Sequence, residues 1–201
     1  MAETATIYRL YGASGTKQSL AGIVGRFCTQ DGIPGLNNPC KVPATGVYHS
    51  FWVTDCLGIT GDFNQVRDIY IHGDEGFAED WGLDAENGGG LFVGKRDTGD
   101  NGLPIDAVLH GSNQYAQAGG SVGTDGYAID NAVNGHPYYR EQSTPKLNFD
   151  ACTAAAPLLI DSGPYTDDFY SMGWCLQLWT VPTSAYGAKS PKAVVVTYNI
   201  F

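Results

Sequence analysis

The sequence predicts an all-β fold, an antiparallel β-sandwich of jelly-roll type, and three observations predict it. Eight short runs of β-forming residues are spread along the chain. Clusters of Gly, Asn, Asp and Pro punctuate them, as tight turns require. A helical period of apolar residues is nearly absent, and its absence removes the α/β alternatives.

The runs follow in order. Thr6–Tyr11 alternates, and an extended entry from Thr4 leads into it. Ile23–Cys28 is the second run and Val47–Thr54 the third. Val66–Ile71 is predicted to place Val66, Asp68 and Tyr70 on one face and Arg67, Ile69 and Ile71 on the other, by the two-residue period of a strand. Gly90–Lys95 and Leu158–Ile160 come next. Trp174–Val181 is almost wholly apolar and so reads as buried on both faces; Ala193–Ile200 closes the set. Pro104–Gln117 has room for one or two helical turns. Asn148–Ala156 has room for another, with Asn148 or Asp150 as its cap and Pro157 as its stop. Gly111–Gln142 is long, rich in Gly and Tyr, and without a period. The expectation is one domain over residues 1–201 with a loop-rich insertion at about 103–142. A loop of that length inside a compact domain is usually an interface or a functional segment.

Composition narrows the function. A chain of 201 residues removes roughly 70% of its unfolded surface on folding, enough for a sizeable core. Lys and Arg number 11 against 21 Asp and Glu, a net charge of −10. Nucleic acid and anionic membrane surfaces are poor partners for such a balance. No apolar stretch reaches the ~18 residues of a spanning helix. Charged residues are only 16%, as in proteins that work outside a cell, yet Met1-Ala2-Glu3-Thr4 opens the sequence without a basic start or an apolar run. Lysis would release such a protein as part of a virion; an unconventional export route and a signal already cut away are the alternatives.

The motifs that carry chemistry favour turns over reactions. Asp97-Thr98-Gly99 and Asp161-Ser162-Gly163 share the spacing of aspartic-protease loops, in which two carboxylates hold one proton. Asp97 follows a Lys-Arg pair and Pro164 replaces a small residue, so both read as turn chemistry. His49, His72, His110 and His136 have no zinc-ligand spacing. No G-x-S-x-G elbow and no phosphate loop occur. The chain therefore reads as non-enzymatic.

Ten of the 21 acids fall between Asp68 and Asp106. Within that stretch Asp97, Asp100 and Asn101 offer oxygen ligands on a Gly-rich loop, the chemistry a structural Ca²⁺ takes. A solvated acidic loop is the plainer reading. Five cysteines occur without a CxxC; they are buried thiols, or two disulfides and one free thiol, with Cys28–Cys40 and Cys152–Cys175 the local pairs. Trp81, between Asp80 and Gly82, is expected to be exposed. Trp81, Tyr115, Tyr127, Tyr138 and Tyr139 are the expected interface residues, as hot spots between subunits or as stacking surfaces for a glycan.

Several phrases together resemble small structural proteins of tailed viruses of bacteria and archaea. They are Arg26-Phe27-Cys28-Thr29, Pro43-Ala44-Thr45-Gly46 with Tyr48 to Trp52, Asp68 to Gly76, His136-Pro137-Tyr138-Tyr139 with Thr144-Pro145, and the closing Trp174 to Ile200. The resemblance spans most of the chain and implies a β-sandwich on a virion surface. It implies a homo-oligomer that contacts other virion proteins such as the major capsid protein, with no catalytic residue to carry over. Two alternatives stay open. One is an extracellular filament whose Thr4–Tyr11 or Ala193–Phe201 is donated to the next subunit. The other is a carbohydrate-binding module using Trp81, Tyr138 and Tyr139.

Overall fold

A computed structural model of the chain describes residues 2–11, 16–27, 39–50, 53–95 and 147–201. Their eleven strands are β1 (Thr4–Tyr11), β2 (Thr16–Ser19), β3 (Tyr48–His49), β4 (Val53–Thr60), β5 (Val66–Gly73), β6 (Gly90–Lys95), β7 (Leu147–Asn148), β8 (Leu158–Asp161), β9 (Phe169–Tyr170), β10 (Trp174–Thr180) and β11 (Val194–Ile200). Every pairing is antiparallel. A large sheet runs β2-β1-β4-β10-β6-β7, with β3 on β10 and β9 on β4; a small sheet runs β11-β5-β8. Among the described residues the only α-helix is α1 (Phe77–Asp80), with 3-10 turns at Ala85–Asn87 and Phe149–Ala151. The all-β, sandwich-like character expected from the sequence is present.

The core lies between the sheets. Val53, Leu91, Val93, Trp174 and Leu176 of the large sheet meet Ile71 of β5 and Ile160 of β8, together with Phe77, Phe149 and Cys152. A second cluster joins Leu57 and Ile59 of β4 to Val66 and Ile69 of β5. Odd-numbered residues of β4 thus face the small sheet, and Asp55 is one of them, between Val53 and Leu57 on that face. Its register partner is Arg9. The guanidinium donates twice, Nε to Oδ1 at 2.9 Å and NH2 to Oδ2 at 3.1 Å. A buried carboxylate is tolerable only with such a partner.

Four expectations are corrected. Residues 23–27 form no strand. They turn out of β2 and cross Arg9, whose NH1 donates to the Arg26 carbonyl at 3.5 Å. Gly25 permits the crossing: a Cβ there would lie 2.8 Å from Arg9 NH2. Val47–Thr54 is not one strand; it divides into β3 and the start of β4, which continues to Thr60. β5 does not alternate evenly. Asp68 takes a left-handed φ of 55°, and β5 takes three steps, Arg67 to Tyr70, where β11 takes two, Asn199 to Thr197. That bulge puts Val66 on the same buried face as Ile69 and Ile71. Finally, Cys152 keeps a free thiol, so the Cys152–Cys175 bridge does not form. Cys152 is buried in the core, and burial pushes its thiol up from the ordinary value. Cys175 instead shares a 3.1 Å hydrogen bond with Thr54 Oγ1. Cys28 of the Cys28–Cys40 pair, the insertion at about 103–142 and the helical turns at Pro104–Gln117 lie outside the described residues.

Candidate assembly surface

Of the residues singled out in the sequence, Asp97, Asp100, Asn101, Tyr115, Tyr127, Tyr138 and Tyr139 lie outside the described residues. Trp81 lies inside them and is not the exposed platform expected. It closes α1, half-buried against the core. Its ring meets Phe77 edge-on at 5.1 Å and Phe27 at 6.3 Å. Its Nε1 donates to the Ser190 carbonyl at 2.9 Å. Two ring contacts and the polar handle of the indole are thereby used within the chain.

Three acids in the described part of the acidic stretch are turn clamps. Asp74 accepts from the Ala193 amide at 2.8 Å and so holds the entry of β11 to the end of β5. Asp80 pairs with Lys192, whose ammonium also donates to the Glu75 carbonyl and lies 5.2 Å above the Phe77 ring. Asp84 has a left-handed φ of 57° and caps the 3-10 turn, accepting from Asn87 and from the Thr183 hydroxyl. Those hydrogen bonds, Thr183 first and Asn87 second, hold its carboxyl below the usual carboxylate value. Among the described residues no three His, Cys, Asp or Glu side chains converge on a common point.

The Asp161-Ser162-Gly163 loop has the same structural character. Asp161 Oδ1 accepts from the Gly163 amide at 2.9 Å, closing an Asx-type turn. Its Oδ2 accepts from Tyr165 Oη at 2.7 Å and from the Met172 amide at 2.8 Å. The carboxylate is buried and three donors already surround it. It is a brace between β8 and the approach to β10.

Among the described residues the large exposed apolar side chains are Val24, Tyr186 and three that fall together at β11 and the residue after it. The core-facing residues of β11, Val194, Val196 and Tyr198, are half-buried. Burial, and then the charge of Glu3, raise the Tyr198 phenol above its ordinary value. On the opposite face Val195, Thr197 and Asn199 are exposed; Val195 is 36% exposed, and at the strand's end Ile200 and Phe201 are 41% and 62% exposed. Only β5 pairs with this strand among the described residues; its other edge carries none. Both segments expected as filament donors are strands of their own chain: β1 between β2 and β4, and β11 on β5. Phe201 completes the zipper by exchanging backbone hydrogen bonds with Gln65.

A second feature had no strong sequence signal. On the outer face of the large sheet a shallow groove is lined by Thr4, Thr6, Tyr8, Thr60, Asp168 and Tyr170. Tyr8 and Tyr170 meet edge-on at 5.3 Å. Gly58 makes room for them, since a Cβ there would lie 2.7 Å from the Tyr8 ring. Lys17 Nζ sits 4.1 Å from the centre of the Tyr170 ring. Only the pairing of β1, β4 and β9 brings these residues together, so no local spacing could announce them.

No family model, no characterised protein and no solved structure matches this chain. No helix among the described residues is long and apolar enough to cross a membrane.

Proposed function

We propose that this protein is a non-enzymatic structural component of a virion surface, a capsid decoration protein or a related symmetric element, that acts by assembling with copies of itself and with other virion proteins such as the major capsid protein. The observation that carries the reading is strand β11, which among the described residues is paired on one side only and has exposed apolar side chains. Soluble domains normally blunt such an edge, and one left open marks a joint. The phrases that resemble tailed-virus structural proteins suggest the virion setting. The net charge of −10 suits a soluble outer face on a more basic shell. The finer jelly-roll wiring belongs to this proposal. The described strands divide eight and three, whereas a jelly roll shares eight strands between two sheets through two Greek keys.

Solution mass by light scattering, with electron micrographs of the same sample, tests the reading. A discrete closed oligomer supports it, and open filaments favour the extracellular polymer. Repeating the measurement with Ca²⁺ tests the ligand expectation at Asp97, Asp100 and Asn101. The Tyr8–Tyr170 groove supports one second reading, a glycan-binding module. It predicts glycan-array binding that Tyr170→Ala abolishes; an array without signal counts against it.

A further inference from the structure

We infer that the open edge of β11 pairs antiparallel with β11 of a second copy, across a two-fold axis near Thr197, joining two three-stranded sheets into one of six. The inference rests on the assembly reading above and names its first contact.

The small sheet has two edges, and they differ. β8 is blunted. It has four residues, Pro157 precedes it, and Pro164 follows within three residues. Its pairing with β5 is irregular, with two residues, Leu159 to Asp161, opposite the single step Tyr70 to Ile69. Short length, flanking prolines and a bulge are the devices that keep an edge from pairing. β11 shares only one of them, Pro191 three residues before its start. It runs seven residues, and the extra residue of its bulge lies in β5, so β11 itself is regularly extended. The strand contains no charged side chain.

The asymmetry selects the partner. A head-to-tail array would need β11 of one copy to meet β8 of the next, and β8 is closed to it. The remaining pairing within this sheet is β11 with itself, an isologous contact that closes at two copies. Residues 194–200 pair in full only when the axis passes near residue 197. Val195 then stands beside Asn199 of the second copy, and Thr197 beside its own equivalent. Self-pairing of a charged strand sets like charges opposite one another, which is unfavourable; the uncharged Val194–Ile200 meets no such penalty. The exposed Val195 and Phe201 extend the contact beyond the backbone hydrogen bonds.

The test is sedimentation equilibrium of the full chain and of Val195→Lys/Thr197→Lys over a wide concentration range, with residue-resolved hydrogen exchange on the unsubstituted chain at the two concentration extremes. Both substituted positions are exposed, so cooperative melting should persist while two lysine rows confront each other in the pair. The expected result is a mass that doubles from 21.4 kDa as concentration rises, its loss in the variant, and slowed exchange at alternate amides of β11 with no change in β8. An oligomer whose mass the variant retains, or β11 amides that exchange alike at both extremes, overturns the β11 joint and leaves the assembly reading standing. A monomer throughout the range overturns the joint and removes autonomous assembly with it.

Discussion

Two regions of the molecule use the same side chain in opposite ways. Under the large sheet, Asp55 is buried among Val53, Leu57 and Trp174, and a single cation answers it. Around the small sheet, Asp161, Asp150, Asp74 and Asp84 are answered by backbone amides and hydroxyls at turns. The first arrangement neutralises a charge in an apolar layer; the second spends charges on closing loops. The difference teaches what each acid is worth. An ion pair without solvent stands or falls as a pair, whereas a turn clamp loses one or two hydrogen bonds and the loop relaxes.

The largest effect is expected at the pair. Asp55→Ala leaves the Arg9 guanidinium, 8% exposed, without its buried partner, a loss of about 3–5 kcal/mol. Replacing both, with Arg9→Met and Asp55→Leu, restores most of that stability, because apolar groups of similar volume need no partner. Urea unfolding of the single and double variants checks it. A double variant as unstable as the single one would show that the pair specifies the β1–β4 register instead of merely filling space.

The turn clamps come next. Asp161→Ala strips the partners from Tyr165 Oη and the Met172 amide, and a loss of roughly 1–3 kcal/mol follows from leaving donors unsatisfied. Asp161→Asn keeps an acceptor and should fall well short of that. Asp150 accepts from the Phe77 and Ala78 amides at 2.5 and 2.9 Å, so it caps α1 from a distant turn. Asp150→Ala is expected to cost about 1 kcal/mol, as lost N-caps do, and to loosen Trp81, whose fluorescence reports it. A variant with unchanged stability and emission would remove Asp150 from the architecture.

Much of the framework was legible because it is locally encoded. β1, β5, β6, β8, β10 and β11 lie on runs of β-formers between turn residues; of the helical turn expected over Asn148–Ala156 with Asn148 or Asp150 as cap, a 3-10 turn over Phe149–Ala151 capped by Asn148 is present. What stayed hidden depends on distant partners. β4 beyond Thr54 looked like a break because Asp55 and Gly58 are poor strand residues. Arg9, 46 positions away, neutralises one, and Tyr8 and Tyr170 need the other. β2 is polar Thr16-Lys17-Gln18-Ser19 and exists by pairing with β1. The short α1 has no local cap side chain; its cap arrives from 73 residues downstream. Trp81 seemed exposed among polar neighbours because its acceptor at Ser190 is 109 positions away. For the surface, the apolar character of β11 was visible in sequence, but that it is an edge, and which edge of its sheet is open, is a property of topology.

The smallest expected effect is at Asp84, and it is a pH effect. Hydrogen bonds from Thr183 and Asn87 depress its folded-state pKa below the ordinary 3.8. A group depressed on folding contributes stability that is complete above its unfolded value. The contribution disappears as pH falls through the folded value. Asp84→Asn tolerates the left-handed backbone and removes the titration, but its single oxygen cannot serve both the Asn87 amide and Thr183. The prediction is a variant slightly less stable than the parent near neutral pH, with the gap closing on acidification below about pH 4. Parallel acid-denaturation curves check it. Curves that superimpose from neutral pH downward would mean that the Thr183 contact contributes nothing in solution. That corner would then be held by Ser184, whose hydroxyl donates to the Leu83 carbonyl at 2.9 Å from a fully buried position.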